Sequence, residues 1–393
     1  MKRFLPFVLI IIFALTYLLP RLLNLSQNLQ FRSDQGSHLL EVKQMVDSHQ
    51  FRLVGPAVTS KTLNGRQFFV GATYYYFLAV LGLIFNWSPL NITLAIIIFE
   101  FIIYALFIDY LRRNFGYFST IIVALIISFS PYLIFHSFFF WNPHFLIPLS
   151  ILFIIFRKNP YFSAFIWGLA LSFHYSAIFW ALPYLIFRLK YHQLKIFKLF
   201  LAVILFLTAN LPFIIFELRH QFYNLKTIIL VFTHSSGSFD VTPHYFIFSL
   251  LIFLIFFLLY FSQKTHFPVY LLLIAFLFYK DQSDLNQIKS YKYPIQLKIS
   301  QEISKNCPQK YNFAATNQGD TRAYDMRYLL TINHCPPDTV DNYPKDQTIF
   351  LIAPPSRPPL NETVWEISSF KPFKITSIQR LNDGIILYRL DKS

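Results

Sequence analysis

Charge is scarce in this sequence: only 13% of its 393 residues are Asp, Glu, Lys or Arg, while 55% are hydrophobic and 20% aromatic. That balance lies outside soluble usage. Nucleotide-handling motifs are missing too. The chain has no Walker loop, no dinucleotide glycine fingerprint, no metalloprotease histidine pair and no serine nucleophile elbow. Without a nucleotide pocket, an activated donor would reach an external site most simply on a lipid. Cysteine is limited to Cys307 and Cys335, both in the polar C-terminal part. Outside the cytoplasm a disulfide between them is expected; the alternative is two free thiols. The first apolar run, Phe4 to Leu19, lacks a small-residue cleavage site, because Pro20-Arg21-Leu22 is a poor one. It is read as an uncleaved span. No internal repeat is evident.

What is present is apolar length. Forty-eight residues are Phe, and runs of membrane-spanning length recur up to residue 280. Basic clusters follow every second run: Lys2-Arg3, Arg112-Arg113, Arg157-Lys158, Arg188 and Lys190 with Lys195 and Lys198, and Lys264. Under the positive-inside rule these places share the cytoplasmic side. The net charge of +15 then reflects membrane lipids with anionic headgroups, not nucleic acid.

The expected spans are 4–20, 92–111, 117–135, 145–157, 160–175, 177–188, 197–216, 244–262 and 266–280. That is about nine, with the N-terminus cytoplasmic. Residues 21–91 form a long external segment. If its half-apolar stretch Ala72 to Trp87 crossed the membrane, every later basic cluster would change sides. It is therefore read as an interfacial or re-entrant helix, anchored by Tyr74, Tyr75, Tyr76 and Trp87. The expected fold is a polytopic α-helical membrane protein with juxtamembrane helices in the first external loop. Residues 1–280 form the membrane module and 281–393 a small C-terminal extracytoplasmic α/β domain. In that domain Asn312 to Ala315 and Thr348 to Ala353 read as strands, and Asp320 to Leu330 as a helix with Asp320 near its N-cap. Asn382-Asp-Gly reads as a hairpin turn between Ile375–Arg380 and Gly384–Leu390.

Most of the polar candidates for chemistry fall on the external side. Asp34, in Phe31-Arg-Ser-Asp-Gln-Gly-Ser-His38, can act there as general base toward a hydroxyl or amine acceptor. Lys61 and Arg66 bound a loop that suits phosphate capture, or contact with lipid headgroups. Asn142 and His144 lie at the outer end of the third span, and His174 ends the fifth. Each alone reads more readily as a cap than as a catalyst. Glu217, Arg219 and His220 close the seventh span. Arg219 can hold a phosphate bidentately, and Glu217 can help bind a metal or orient Arg219. The alternative is a Glu–Arg pair that anchors the helix end. Glu100, near mid-span, has no obvious partner, whereas Asp109 stands beside Arg112 and Arg113.

Six segments carry a resemblance: Ser33-Asp-Gln-Gly36, Gly55-Pro56 to Ser60, Gly71 to Tyr76, Trp141-Asn-Pro143, Phe173-His-Tyr175 and Phe216-Glu-Leu-Arg-His220. In this order they resemble the C-superfamily of glycosyltransferases (GT-C) over roughly residues 1–260. The likeness is closest to family 39-type bacterial enzymes, relatives of protein O-mannosyltransferases and of the aminoarabinose transferase of lipid A. The resemblance implies a polyprenyl-phosphate sugar donor and inverting transfer on the extracytoplasmic face to a glycan, lipid or protein acceptor. It implies Asp34 as general base and a lipid phosphate held by Arg219 with Lys61 or Arg66. It leaves room for a divalent cation such as Mg or Mn. The chain departs from many relatives in having Asp34-Gln35 in place of an acidic pair, in lacking Pro-Pro-Leu before the interfacial helix, and in lacking an Asp beside Asn142. Glu217 is then the candidate second carboxylate. A bacterial inner membrane is the expected location. The competing reading is a transporter or flippase for a lipid-linked or small polar substrate. That reading needs polar groups near the midplane on broken helices, and only Glu100 suits it.

Overall fold

The structure, a computed structural model, describes residues 5–58, 66–191, 196–234, 253, 292–317, 319–381 and 384–393. The N-terminal elements are α1 (Leu5–Leu22), α2 (Leu25–Asn28), α3 (Ser33–Asp47), β1 (Val54–Val58), β2 (Phe68–Gly71) and α4 (Thr73–Ile84). Next come α5 (Pro89–Phe129), α6 (Pro131–Ser137), α7 (Leu146–Ile155), α8 (Pro160–Phe173), α9 (Ala181–Lys190), α10 (Ile196–Ala209), α11 (Leu211–Arg219) and α12 (Tyr223–His234). The C-terminal elements are α13 (Tyr293–Lys305), β3 (Tyr311–Ala315), α14 (Tyr324–Ile332), β4 (Thr348–Ala353), α15 (Trp365–Ser368), β5 (Phe373–Arg380) and β6 (Ile386–Lys392). They form two compact units. The first holds residues 1–22, 45–84 and 94–280; the second holds 23–44, 85–93 and 281–393. The polar C-terminal segment thus shares its unit with residues 23–44.

Among the described residues α1 and α5 are long and apolar enough to cross a membrane. Two bent pairs, Pro131–Ser137 with Asn142–Ile155 and Ile196–Ala209 with Leu211–Arg219, raise the number of candidate spans to four. The chain is therefore compatible with a membrane protein, but the nine expected spans are not seen. The expected spans 244–262, apart from Phe253, and 266–280 lie outside the described residues. α7 and α8 fall within the expected spans 145–157 and 160–175, and Pro and polar residues set their ends. Pro143 sits in a 3-10 turn at Asn142–Phe145, where the bend reaches 119°. Asn159 caps α8, accepting from Tyr161 N and Phe162 N, with Pro160 as the first helical residue. The resulting α7 has 10 residues and α8 has 14. At about 1.5 Å per residue each falls short of a hydrocarbon core of roughly 30 Å. α5 is itself broken at Gly116, whose φ of 80° suits glycine alone. That break follows Arg112-Arg113, where a turn between two spans was expected, and both arginines bind Asp109 at 2.7 Å.

In the first unit most of the stretch expected as an interfacial or re-entrant helix is helical, as α4, and its first tyrosines face protein. Tyr74 and Tyr75 are fully buried, and Tyr74 packs against Phe145 and Phe173 at 5.9 Å. The helices α8 and α10 meet at Gly168, where a Cβ would lie 2.5 Å from the Phe206 carbonyl oxygen. Asn210 bridges the same crossing through its bond to the Gly168 carbonyl oxygen, 3.0 Å.

The second unit is built on a four-stranded sheet of order β3-β4-β6-β5. β3 and β4 are parallel, with Tyr311 opposite Thr348 and Ala315 opposite Ile352. Every residue of both strands is buried, as a parallel pair covered on both faces requires. The antiparallel hairpin β5–β6 completes the sheet and leaves β5 as an exposed edge. Of its expected turn, residues 382–383 lie outside the described residues, and Gly384 has a φ of 74°. Leu351, Ile349, Ile367, Phe370 and Leu390 are fully buried in the core. Cys307 and Cys335 form a disulfide. The helix expected to start at Asp320 begins at Tyr324 instead, after Ala323, whose left-handed φ of 52° interrupts a helical run from Asp320.

Candidate functional site

Asp34 lies in the first turn of α3, where the helix dipole favours negative charge. Gln35 holds the turn, its Oε1 accepting from Arg32 N at 3.1 Å. Two further contacts tie this turn to the loop before α14. Ser33 Oγ donates to Asp320 Oδ2 at 2.8 Å. A Cβ on Gly36 would lie 2.3 Å from Tyr324 O and 2.4 Å from Asp325 N, so only glycine fits. From α13, Gln296 Nε2 donates to Phe31 O at 3.0 Å and to Asp325 Oδ2 at 2.8 Å.

The two carboxylates have opposite surroundings. Arg322 grips Asp320 with two side-chain bonds of 2.8 and 2.9 Å and a backbone N–H at 3.1 Å. Burial opposes ionisation of Asp320, but these bonds outweigh it and hold the carboxyl below its usual range. Among the described residues no hydrogen bond or ion pair occupies the oxygens of Asp34. The residue is exposed to solvent at the surface of α3, with protein packed around its base. That crowding raises its pKa, the charge on Asp320 raises it further, and Arg32 and Arg322 oppose both. The result is a carboxylate with enhanced proton affinity and open access.

The first unit gathers most of the remaining candidates into a second neighbourhood. A Cβ on Gly71, at the end of β2, would overlap Ser172 Oγ at 2.0 Å. Thr73 Oγ1 and Ser172 Oγ share a hydrogen bond of 2.6 Å. Asn142 is buried and donates to the Phe173 carbonyl oxygen at 2.8 Å. His174 caps the following 3-10 turn, its Nδ1 lying 2.9 Å from Ser176 Oγ. Phe68 meets Tyr175 edge-on at 5.8 Å, and Phe69 meets Phe216 at 6.3 Å. His144 is buried with its ring 4.0 Å from that of His136. Within this unit Phe173-His-Tyr175 and Phe216 to His220 thus adjoin the β1–β2 hairpin through Tyr175 and Phe216, although the individual side chains serve capping and packing.

Glu217 does not fit the metal role expected of it. Its two oxygens accept from Asn224 N at 3.0 Å and Leu225 N at 3.1 Å and so cap the start of α12. Nor does it pair with Arg219. Asn224 in turn accepts from Phe69 N at 2.8 Å, which ties the edge of β2 to the same helix. Among the described residues no group of three or more His, Cys, Asp or Glu gathers to hold a metal. Arg66 and Arg219 are exposed. His220 donates from Nδ1 to the Phe216 carbonyl oxygen at 2.9 Å and stacks on that ring. Lys61 lies outside the described residues.

Two features were not anticipated. The first is Asp320 with Arg322; an acid–base pair just after the apolar strand 311–315 was the available signal. The second is fully buried Arg21, which donates to Ser137 Oγ and to the carbonyl oxygens of Tyr17, Ile127 and Ser128 at 2.9–3.1 Å. Tyr17 also donates to Glu100 at 3.5 Å, giving that carboxyl the partner the sequence did not reveal. Comparison with protein-family models, with curated proteins and with solved structures returned no match.

Proposed function

We propose that the chain is an inverting membrane glycosyltransferase of GT-C type, using a polyprenyl-phosphate sugar donor on the extracytoplasmic face of a bacterial inner membrane. The observation that carries this reading is Asp34: an uncommitted carboxylate of raised proton affinity at a helix N-terminus. Those are the properties of a general base. In the proposed step Asp34 takes the proton of the acceptor hydroxyl or amine. The acceptor atom bonds to the anomeric carbon, and the bond from that carbon to the phosphate oxygen breaks, its electron pair leaving on the lipid phosphate. A cation beside the leaving oxygen would stabilise that phosphate. The transporter reading draws on the intramembrane groups Arg21 and Glu100. However, Arg21 is committed to three carbonyls and a hydroxyl, which describes a fixed anchor more than a mobile substrate site.

The test is transfer, or slow donor hydrolysis, by the purified protein in nanodiscs with a panel of polyprenyl-phosphate sugars. A well-folded Asp34→Asn variant is expected to lose roughly 10²- to 10⁴-fold in rate. Equal rates for variant and wild type would remove Asp34 from the chemistry.

A further inference from the structure

The turn that carries Asp34 is held on one side by the loop before α14 and on the other by the first turn of α14. Ser33, immediately before it, bonds Asp320, and Gly36, two residues after it, abuts the backbone of Tyr324 and Asp325. This loop leaves the carboxyl end of β3, the strand paired in parallel with β4. Loops at the carboxyl ends of parallel strands are where α/β sheets place ligand-binding groups. A latch that only packed would work with neutral partners. Here the latch is an ion-paired carboxylate bonded to Ser33, the residue next to a second carboxylate, and the like charges oppose each other.

We propose that Asp320 is the second carboxylate of this site and a positioning residue for Asp34, so that the C-terminal segment supplies part of the machinery. The proposal rests on reading Asp34 as a general base. The two acids then divide their roles by environment. Arg322 keeps Asp320 from competing for the proton. Asp320 in turn holds the Asp34 turn through Ser33 and places a fixed negative charge near it. When Asp34 accepts the acceptor's proton, the repulsion between the two carboxylates is relieved, which favours that step. The charged groups that bear on Asp34 are Arg32 from its own segment with Asp320 and Arg322 from the loop packed against it, and the backbone of Tyr324 and Asp325 lies beside Gly36.

The test follows the protonation of Asp34 directly, with or without turnover. The full chain in nanodiscs, labelled with ¹³C at the aspartate carboxyls, is titrated by NMR, and Asp34→Asn assigns the signal. Asp320→Asn is expected to move the Asp34 midpoint to lower pH, and Asp320→Glu to restore it. Should Asp320→Asn fail to fold, Arg322→Gln serves instead and is expected to move the midpoint to higher pH. An unchanged midpoint in the folded variant overturns the proposal. In the transfer assay Asp320→Asn should lower kcat by about 10- to 100-fold with a smaller change in KM. If the midpoint moves as expected while no donor is turned over, the carboxylate pair stands and the glycosyl-transfer reading falls.

Discussion

Replacing Gly36 with alanine asks whether the grip on the Asp34 turn is as tight as the geometry says. The added methyl would lie 2.3 Å from one backbone atom and 2.4 Å from another. Overpacking against side chains typically costs about 1–3 kcal/mol. Backbone cannot rotate aside, so the upper end, about 3 kcal/mol, applies. For a unit of this size that corresponds to a fall of roughly 6–12 °C in Tm. Gly319 provides the control: it lies in the same loop, its φ is unexceptional, and a Cβ there meets nothing within 4 Å. Alanine at 319 should be neutral or stabilising by a few tenths of a kcal/mol, up to about 1. The assay is thermal unfolding of the full chain in nanodiscs, followed by protease resistance of the segment after residue 292. Equal melting of the two variants, within about 2 °C, would show that the loop is not seated on α3 and would refute the reasoning.

Two more expectations concern the second unit. The Cys307–Cys335 disulfide closes a sequence separation of 28, so changing both cysteines to serine should cost about 3–4 kcal/mol by loop entropy; a loss under about 1 kcal/mol in denaturant titration would contradict this. Burial pushes the pKa of His38 down to about 3. A depressed folded pKa gives stability that is intact above the unfolded value near 6.5 and is lost as pH falls below it, about 2 kcal/mol by pH 5. His38→Gln should flatten the decline in Tm between pH 7.5 and 5, and parallel declines for variant and wild type would count against a neutral buried histidine.

Legibility in the sequence followed the range of the interactions involved. The strand Thr348–Ala353 could be read because a run of buried β-formers between turn residues has few alternatives. The hairpin β5–β6 was likewise announced by its turn residues. Span number was less legible. Hydropathy reports composition, whereas capping by Asn159 and the turn at Asn142–Phe145 decide where a helix stops. At the candidate site, Asp34 was visible from its local context. Its partner was not, because Asp320 lies 286 positions away, and its neighbour Arg322 marks an ion pair without saying which turn the pair holds. Glu217 was misassigned for a related reason: a carboxylate near an Arg and a His resembles a ligand until the backbone amides of Asn224 and Leu225 are seen to claim both oxygens.

The assembly of the second unit from residues 23–44 and 281–393 bears on biogenesis. Ser33 and Asp320 are separated by 287 positions. At a synthesis rate of about 5–20 residues per second, on the order of 15 to 60 s pass between their emergence from the ribosome. Throughout that interval α3 lacks the loop that seats it, and helices of its length are marginal on their own. A ribosome that stalls before residue 320 would therefore leave α3 without the loop that seats it. The long gap between the two halves of the unit acts as a completeness check on its folding.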